Sequence, residues 1–204
     1  MPDTQSPQNV LIQVNDLSVH TKDGVCLIES ISLTIKQGQN LTILGETGSG
    51  KSLLAQALMG ALPKGLMVKG QIIINGKTFH DGQGELDGRQ FAKLWGRDLT
   101  MLPQEPVRSL DPTMTVFRQI WESLYFVKKA DNATAKQTTL RTLEQLSLAH
   151  AKDHYPHELS GGMAQRASFA SATVSGAYMV IADEPTKGLD RTNKIAVVDM
   201  LADA

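Results

Sequence analysis

Cysteine is nearly missing: Cys26 is the single one among 204 residues. That excludes a disulfide framework, and with it any zinc or iron–sulfur site built from several thiolates within this stretch. A reducing cytoplasm is the simplest compartment for such a chain. An excess of one charge is missing too, since 20 Lys+Arg against 21 Asp+Glu leave a formal net charge of −1. This balance argues against binding nucleic acid by electrostatics. No run approaches the roughly 18 to 20 apolar residues that a membrane-spanning helix needs, so work at a membrane is expected from its surface, through partners. Residues 1–9 are polar and carry no basic segment followed by an apolar run, which does not match a secretory signal. What is present, 41% hydrophobic and 20% charged residues, is globular composition, enough for one large domain or a compact pair.

The apolar residues fall into periodic runs. Val10-Leu11-Ile12-Gln13-Val14 reads as a short strand, and Ile31 to Ile35 alternates apolar with polar residues at period two. Asp23-Gly24 and Gln37-Gly38-Gln39 supply turns, so the first third is expected to form an antiparallel ribbon. Leu41-Thr42-Ile43-Leu44 suits a strand buried on both faces, followed by a glycine-rich turn and a helix over Leu53–Leu58. A further sheet segment, Gln71 to Ile74, closes in the turn signal Asn75-Gly76. From about Thr113 the period changes: Val116, Ile120, Leu124 and Val127 recur at helical spacing, as do Leu140, Leu143 and Leu146. An all-helical insert is therefore expected between two sheet-forming halves, with the polar stretch 128–136 linking two of its helices. Tyr178 to Ala182 is another buried-strand candidate, ending in Asp183-Glu184-Pro185. There is no internal repeat and no low-complexity tract.

Two of these junctions carry chemistry. Gly45-Glu46-Thr47-Gly48-Ser49-Gly50-Lys51-Ser52 fits the phosphate-binding pattern G-x-x-x-x-G-K-S/T. Its glycines let the backbone curl so that N–H groups point at phosphate oxygens, and the following helix adds its positive N-terminal end. Lys51 is placed to reach the β- and γ-phosphates, and Ser52 to set its hydroxyl on magnesium. The plain alternative is a glycine-rich strand-to-helix turn, which the flanking strand and helix signals disfavour. At the second junction, a carboxylate closing a buried strand holds magnesium, the role assigned to Asp183, and Glu184 is placed to orient or deprotonate the attacking water. By itself an apolar strand ending in acids is common; beside the upstream loop it gains weight.

Between these motifs stands Leu159-Ser160-Gly161-Gly162-Met163, followed by Ala164-Gln165-Arg166, with Met163 twenty residues before Asp183. With three motifs in this order the chain resembles the ATPases of ABC transporters, from about Val10 to its C-terminus. Gln104 stands in the place of the Q-loop glutamine and Lys187-Gly188-Leu189-Asp190 in that of the D-loop. Pro103-Gln104-Glu105-Pro106, the stretch from Ser109 to Val116, Pro156-His157-Glu158 and Met163 are similar to the peptide and nickel importer branch. The resemblance implies a P-loop NTPase of RecA-like α/β fold with an N-terminal antiparallel β subdomain and an inserted α-helical subdomain. The β subdomain and core are expected over about 10–102 and 158–204, the helical subdomain over about 103–157. It implies a Mg-dependent ATPase powering import of peptides, nickel or related small solutes, with ATP and Mg2+ as cofactors. The implied partners are a second ATP-binding subunit, head to tail, transmembrane permease subunits and, indirectly, a solute-binding protein, with no nucleic acid. The implied location is the cytoplasmic face of the inner membrane, held peripherally. Lys51, Ser52, Gln104, Asp183 and Glu184 then act in cis, with Gln104 sensing the γ-phosphate and magnesium. Ser160, Gly161 and Gly162 serve the partner's nucleotide, since a hydroxyl and two glycine N–H groups at a helix start suit a γ-phosphate.

Several residues depart from the family pattern. The stretch Leu17 to Thr21 has no aromatic side chain where many relatives stack adenine, and His20 reads as an exposed strand histidine rather than a substitute. Lys187-Gly188 replaces the small pair common before the D-loop. Twenty residues follow Glu184, and the family's switch histidine is not among them; the length is expected to reflect a truncation. His154 and His157 read as solvated or capping residues, and Trp95 and Trp121 as packing or partner-surface residues. The competing functions are a soluble ABC-type ATPase of translation or DNA repair, and a shortened chain that binds ATP without turning it over.

Overall fold

The structure is a computed structural model that describes residues 10–103, 105, 109–186 and 191–202. It divides into two units, Met1–Lys93 and Leu94–Ala204.

In the first unit, strands β1 (Val10–Thr21), β2 (Cys26–Lys36), β3 (Leu66–Ile74) and β4 (Lys77–Gly84) form an antiparallel sheet in the order β2-β1-β3-β4. Its core face is read along β1 and β3: Ile12, Val14, Leu17, Val19, Val68, Ile72 and Ile74 are all buried. Strict alternation from Ile12 and Val14 would continue through positions 16 and 18. The structure instead shifts register between Val14 and Leu17, with Asp16 at φ 48° and its N–H donated to Ser32 Oγ at 2.9 Å. The inserted residue returns Leu17 and Val19 to the buried set. The first hairpin turns as expected at Asp23-Gly24, with the Thr21 N–H on the Val25 carbonyl at 2.9 Å. The β3–β4 hairpin turns at Asn75-Gly76, both at positive φ, which suits the right-handed twist of the strands they join. Helix α1 (Lys51–Leu58) buries Leu54, Ala55, Ala57 and Leu58, and the short α2 (Gly88–Phe91) buries Phe91 against Phe79 at 5.1 Å between ring centroids.

One expected strand does not form. Residues 41–44 lie in no strand, and Leu41, Ile43 and Leu44 are 45%, 44% and 89% exposed. An apolar run becomes a buried strand only where neighbouring strands satisfy its backbone, and no strand of either sheet pairs with this one.

In the second unit, β5 (Leu99–Leu102) and β6 (Met179–Ala182) pair in parallel, Leu99 opposite Met179 and Leu102 opposite Ala182. Helices α3 (Val116–Glu122), α4 (Asn132–Gln145), α5 (Gly161–Thr173) and α6 (Arg191–Ala202) accompany them, and α3 runs on through a π-helical turn over Ser123–Val127. Val116, Ile120, Leu143, Leu148, Ala164, Ala167 and Ala170 meet in one buried cluster with Leu110. The link expected over 128–136 is shorter than the polar composition suggests, because Asp131 caps α4 by accepting the N–H groups of Ala133 and Thr134. The buried stripe of α4 is Ala135, Thr139 and Leu143, at steps of four; Leu140, expected in the stripe, is 43% exposed.

Two outcomes are expected. Leu143→Ala removes a fully buried side chain from the helical cluster and should cost about 2–5 kcal/mol by denaturant titration. The Thr134 hydroxyl, and next its N–H, hold the Asp131 carboxyl below its ordinary range. The folded value being depressed, the cap's contribution is full above the unfolded value and is lost as pH falls through the folded one. The Tm deficit of Asp131→Ala at neutral pH should therefore shrink between roughly pH 4 and pH 2.

Candidate functional site

The loop before α1 is a glycine-rich turn. Ser49 donates its N–H to the Glu46 carbonyl at 3.2 Å, and Gly48 and Gly50 take φ 86° and 90°. Side chains other than glycine rarely adopt that backbone, and at Gly48 the space a Cβ would occupy is open to 4 Å. Gly50 is the N-cap of α1; no side chain caps the helix and its first turn has no acidic residue. The N-terminal N–H groups and their partial positive charge thus meet no side-chain anion from the cap or the first turn. Lys51 curls back over the loop, its Nζ donating to the carbonyls of Gly45 at 2.9 Å and Glu46 at 2.8 Å. Open backbone, a helix start and an ammonium converge here, and that donor set fits a phosphate group.

In the second unit, Asp183 extends the β5–β6 ladder by one bond, its N–H on the Leu102 carbonyl at 3.0 Å. This sets the first carboxylate at the carboxyl end of the parallel pair, where ligands of open α/β sheets bind. Glu184 follows at φ 46°, a left-handed backbone for a residue that is not glycine and that precedes proline. Such a conformation costs on the order of 1–3 kcal/mol and persists only where surroundings impose it. The surroundings include Gln165, whose Nε2 donates to the Pro185 carbonyl at 2.6 Å. Gln165 is buried on α5. At the start of that helix, Ser160 is the N-cap, its Oγ accepting the Met163 N–H at 3.3 Å. A hydroxyl that accepts there still has its own proton to donate. Gly161 beside it has open space where a Cβ would sit.

The expected residues thus fall in two groups. Gly45, Glu46, Thr47, Gly48, Ser49, Gly50, Lys51 and Ser52 form the loop and first residues of α1 in the first unit. Ser160, Gly161, Gly162, Asp183 and Glu184 belong to the second unit, on α5 and at the end of β6. Gln104 and residues 187–190 lie outside the described residues. His20 is half-buried rather than exposed, with Nε2 3.0 Å from Ser18 Oγ. His154 joins the backbone framework, its N–H on Ala151 and its carbonyl accepting from Val116, and His157 stacks on Tyr155. Trp121 stacks on Tyr125 at 4.8 Å and donates Nε1–H to Asn132 Oδ1. Trp95 bridges to Leu99. The residue that sequence reasoning passed over is Gln165. It stood within the quoted motif, but a glutamine on a helix reads as a surface residue until its neighbours are seen to be Ala164, Ala167 and Ala170, all buried.

Residues 28–187 match the family described as ABC transporter. The chain belongs to that family. Among its relatives, the oligopeptide transport ATP-binding protein OppD of Salmonella typhimurium is 38% identical over 97% of this chain and 60% of its own length. The dipeptide transport ATP-binding protein DppD of Lactococcus lactis is 36% identical over 95% of this chain and 56% of its own length. The chain thus spans somewhat over half the length of these relatives. Among solved structures, CbiO1 of Clostridium perfringens, described as part of the ABC transporter complex cbiONQ, superposes with a TM-score of 0.80 at 25% identity. That match covers 96% of this chain and 74% of CbiO1. The ATP-binding cassette MJ0796, solved as a dimer with ADP and Pi, superposes with a TM-score of 0.78 at 22% identity, over 94% of this chain and 81% of its own. The α/β fold expected from the sequence, an antiparallel sheet with helices, is therefore that of ABC ATPase domains. Among the described residues of this ABC transporter chain, no helix is long and apolar enough to cross a membrane.

The backbone at Glu184 makes a direct test. Glycine adopts a left-handed φ without steric cost, whereas a β-branched residue before proline resists it. Thermal unfolding should show Glu184→Gly equal to or above the parent in Tm, and Glu184→Val below it.

Proposed function

We propose that this chain binds and hydrolyses ATP to power an importer for peptides, nickel or related small solutes, as the peripheral subunit on the cytoplasmic face of the membrane. The observation that carries this reading is the loop Gly45–Ser52, where an ammonium held by two loop carbonyls belongs to the first residue of a helix that no side chain caps. The names of its relatives, oligopeptide and dipeptide transport ATP-binding proteins, support the transport assignment and, within it, peptides.

In this reading the loop N–H groups and Lys51 bind the β- and γ-phosphates, exchanging loop carbonyls for phosphate oxygens as partners of the ammonium. Glu184 orients the attacking water and accepts its proton, and Gln104 senses the γ-phosphate. Ser52, Gln104 and Asp183 are the residues that would hold magnesium, which would supply positive charge against that of the phosphates. Ser160, Gly161 and Gly162 serve the nucleotide of a second ATP-binding subunit arranged head to tail. The segment 103–157 is the helical subdomain that meets the permease, which in turn receives solute from a binding protein.

Titration with a fluorescent ATP analogue should show affinity falling at least about tenfold in Lys51→Ala, the loss of a charge-assisted contact to phosphate. Equal affinity in the two proteins would overturn the assignment. Glu184→Gln should keep nucleotide affinity while hydrolysis by the assembled transporter falls about a hundredfold or more. Uptake of labelled peptide against labelled nickel by the same assembly separates the solutes.

A further inference from the structure

We propose that Gln165 is a positioning residue for hydrolysis: its carboxamide, donated from α5 to the Pro185 carbonyl, holds Glu184 in the backbone conformation from which its carboxylate acts. The inference rests on the role given to Glu184 above and adds the group that places it.

Gln165 is 7% exposed, and the other buried polar residues of the described chain are Thr100, Thr139, Ser168 and Ser175. A buried carboxamide is unfavourable unless bonded, so its placement is tied to the acceptor it finds. That acceptor is a backbone carbonyl, at 2.6 Å, twenty residues along the chain. The proline ring fixes φ, so the Pro185 carbonyl carbon is held in a nearly constant relation to the peptide that joins it to Glu184. Anchoring this carbonyl therefore anchors the Glu184 backbone from its C-terminal side. From the N-terminal side the Asp183 N–H is anchored on Leu102 of β5. Between the two anchors, Glu184 keeps φ 46°, which a residue before proline otherwise leaves for extended backbone. Release of the C-terminal anchor lets the peptide relax, and the carboxylate moves with it. The helix supplying the anchor is itself fixed, since α5 packs on β5, α3 and α4.

The test uses the subunit in its assembled transporter. Gln165→Leu keeps approximate volume and removes the donor, and Gln165→Glu sets an acceptor against an acceptor. Both should lower kcat for ATP hydrolysis about ten- to a hundredfold, the scale of a small misplacement of a reacting group. KM and nucleotide affinity should stay within about threefold, because the phosphate-binding loop is untouched. A folded variant of either kind with kcat within about twofold of the parent overturns the proposal, as does a fall confined to KM. If Gln165→Leu and Gln165→Glu both fail to fold, Gln165→Asn, which keeps the amide one methylene short, decides by the same split between kcat and KM. Glu184→Gln, measured in parallel, separates the two readings. Hydrolysis retained there overturns the role of Glu184 itself, whereas hydrolysis lost there but retained in Gln165→Leu overturns only the placement by Gln165.

Discussion

A single peptide in the second unit is held against its own preference. Glu184 sits at positive φ before a proline, and the bonds on either side of it, Asp183 N–H to Leu102 and Gln165 to the Pro185 carbonyl, reach into different elements. One bond continues a parallel ladder only four residues long in each strand, and the other comes from a helix. So short a ladder has few backbone bonds of its own to define where it ends, and the helix supplies the second reference point. The carboxylates at this end therefore depend on the packing of α5 as much as on the strands. The cluster of Leu110, Val116, Ile120, Leu143, Leu148 and the α5 alanines is thus more than a source of stability: it sets the helix from which Gln165 reaches.

The loop of the first unit meets a similar demand by the opposite means. It also needs backbone outside the usual regions, at Gly48 and Gly50, but glycine takes those angles without steric strain. A turn bond from Ser49 and the two carbonyls held by Lys51 support it. The difference follows from chemistry. In the proposed roles a phosphate is met at Gly48 and Gly50 by backbone N–H groups, so side chains at those two positions can be dispensed with, whereas the carboxylate of Glu184 is itself a side chain that glycine lacks. Strain is accepted where the side chain is needed and avoided where only the backbone is.

This difference also governs how much was legible in the sequence. Elements fixed by local chemistry were readable: the alternation in β1 and β2, the Asn75-Gly76 turn, the helical spacing of Val116, Ile120 and Leu124, and the Gly45–Ser52 loop. Elements whose state depends on distant partners were not. Leu41–Leu44 has the composition of a buried strand, but among the described residues no strand pairs with it, and composition does not report whether a neighbour is there. Strand β5 is too short to show a period, and its identity comes from β6, some eighty residues on. The register shift at Asp16 breaks an alternation that a period-two reading follows only up to Val14. The start of α4 was misplaced because Asp131, within a polar run, acts as a cap rather than as more linker. Among the residues proposed for the site, Gln165 is the one the sequence pattern does not single out, since it owes its burial to tertiary packing.

That packing explains why the support is a glutamine among alanines. Ala164, Ala167 and Ala170 recur at steps of three on α5 and are buried to 1% or less. Small residues on one helix face let its backbone approach what it packs against, here the cluster of Leu110, Val116, Ile120, Leu143 and Leu148, more closely than leucines would. At a close approach there is little room for solvent, and a carbonyl left pointing at the helix would be unpaired. A glutamine beside Ala164 is long enough to reach that carbonyl and polar enough to pair it, while its methylenes fill the space around it. A larger apolar residue at the alanine positions would move the helix out and take the amide beyond bonding distance. An apolar residue at position 165 would keep the packing and lose the tie. The small face and the long amide therefore act together: the first seats the helix on its cluster, and the second ties the seated helix to the peptide after Glu184.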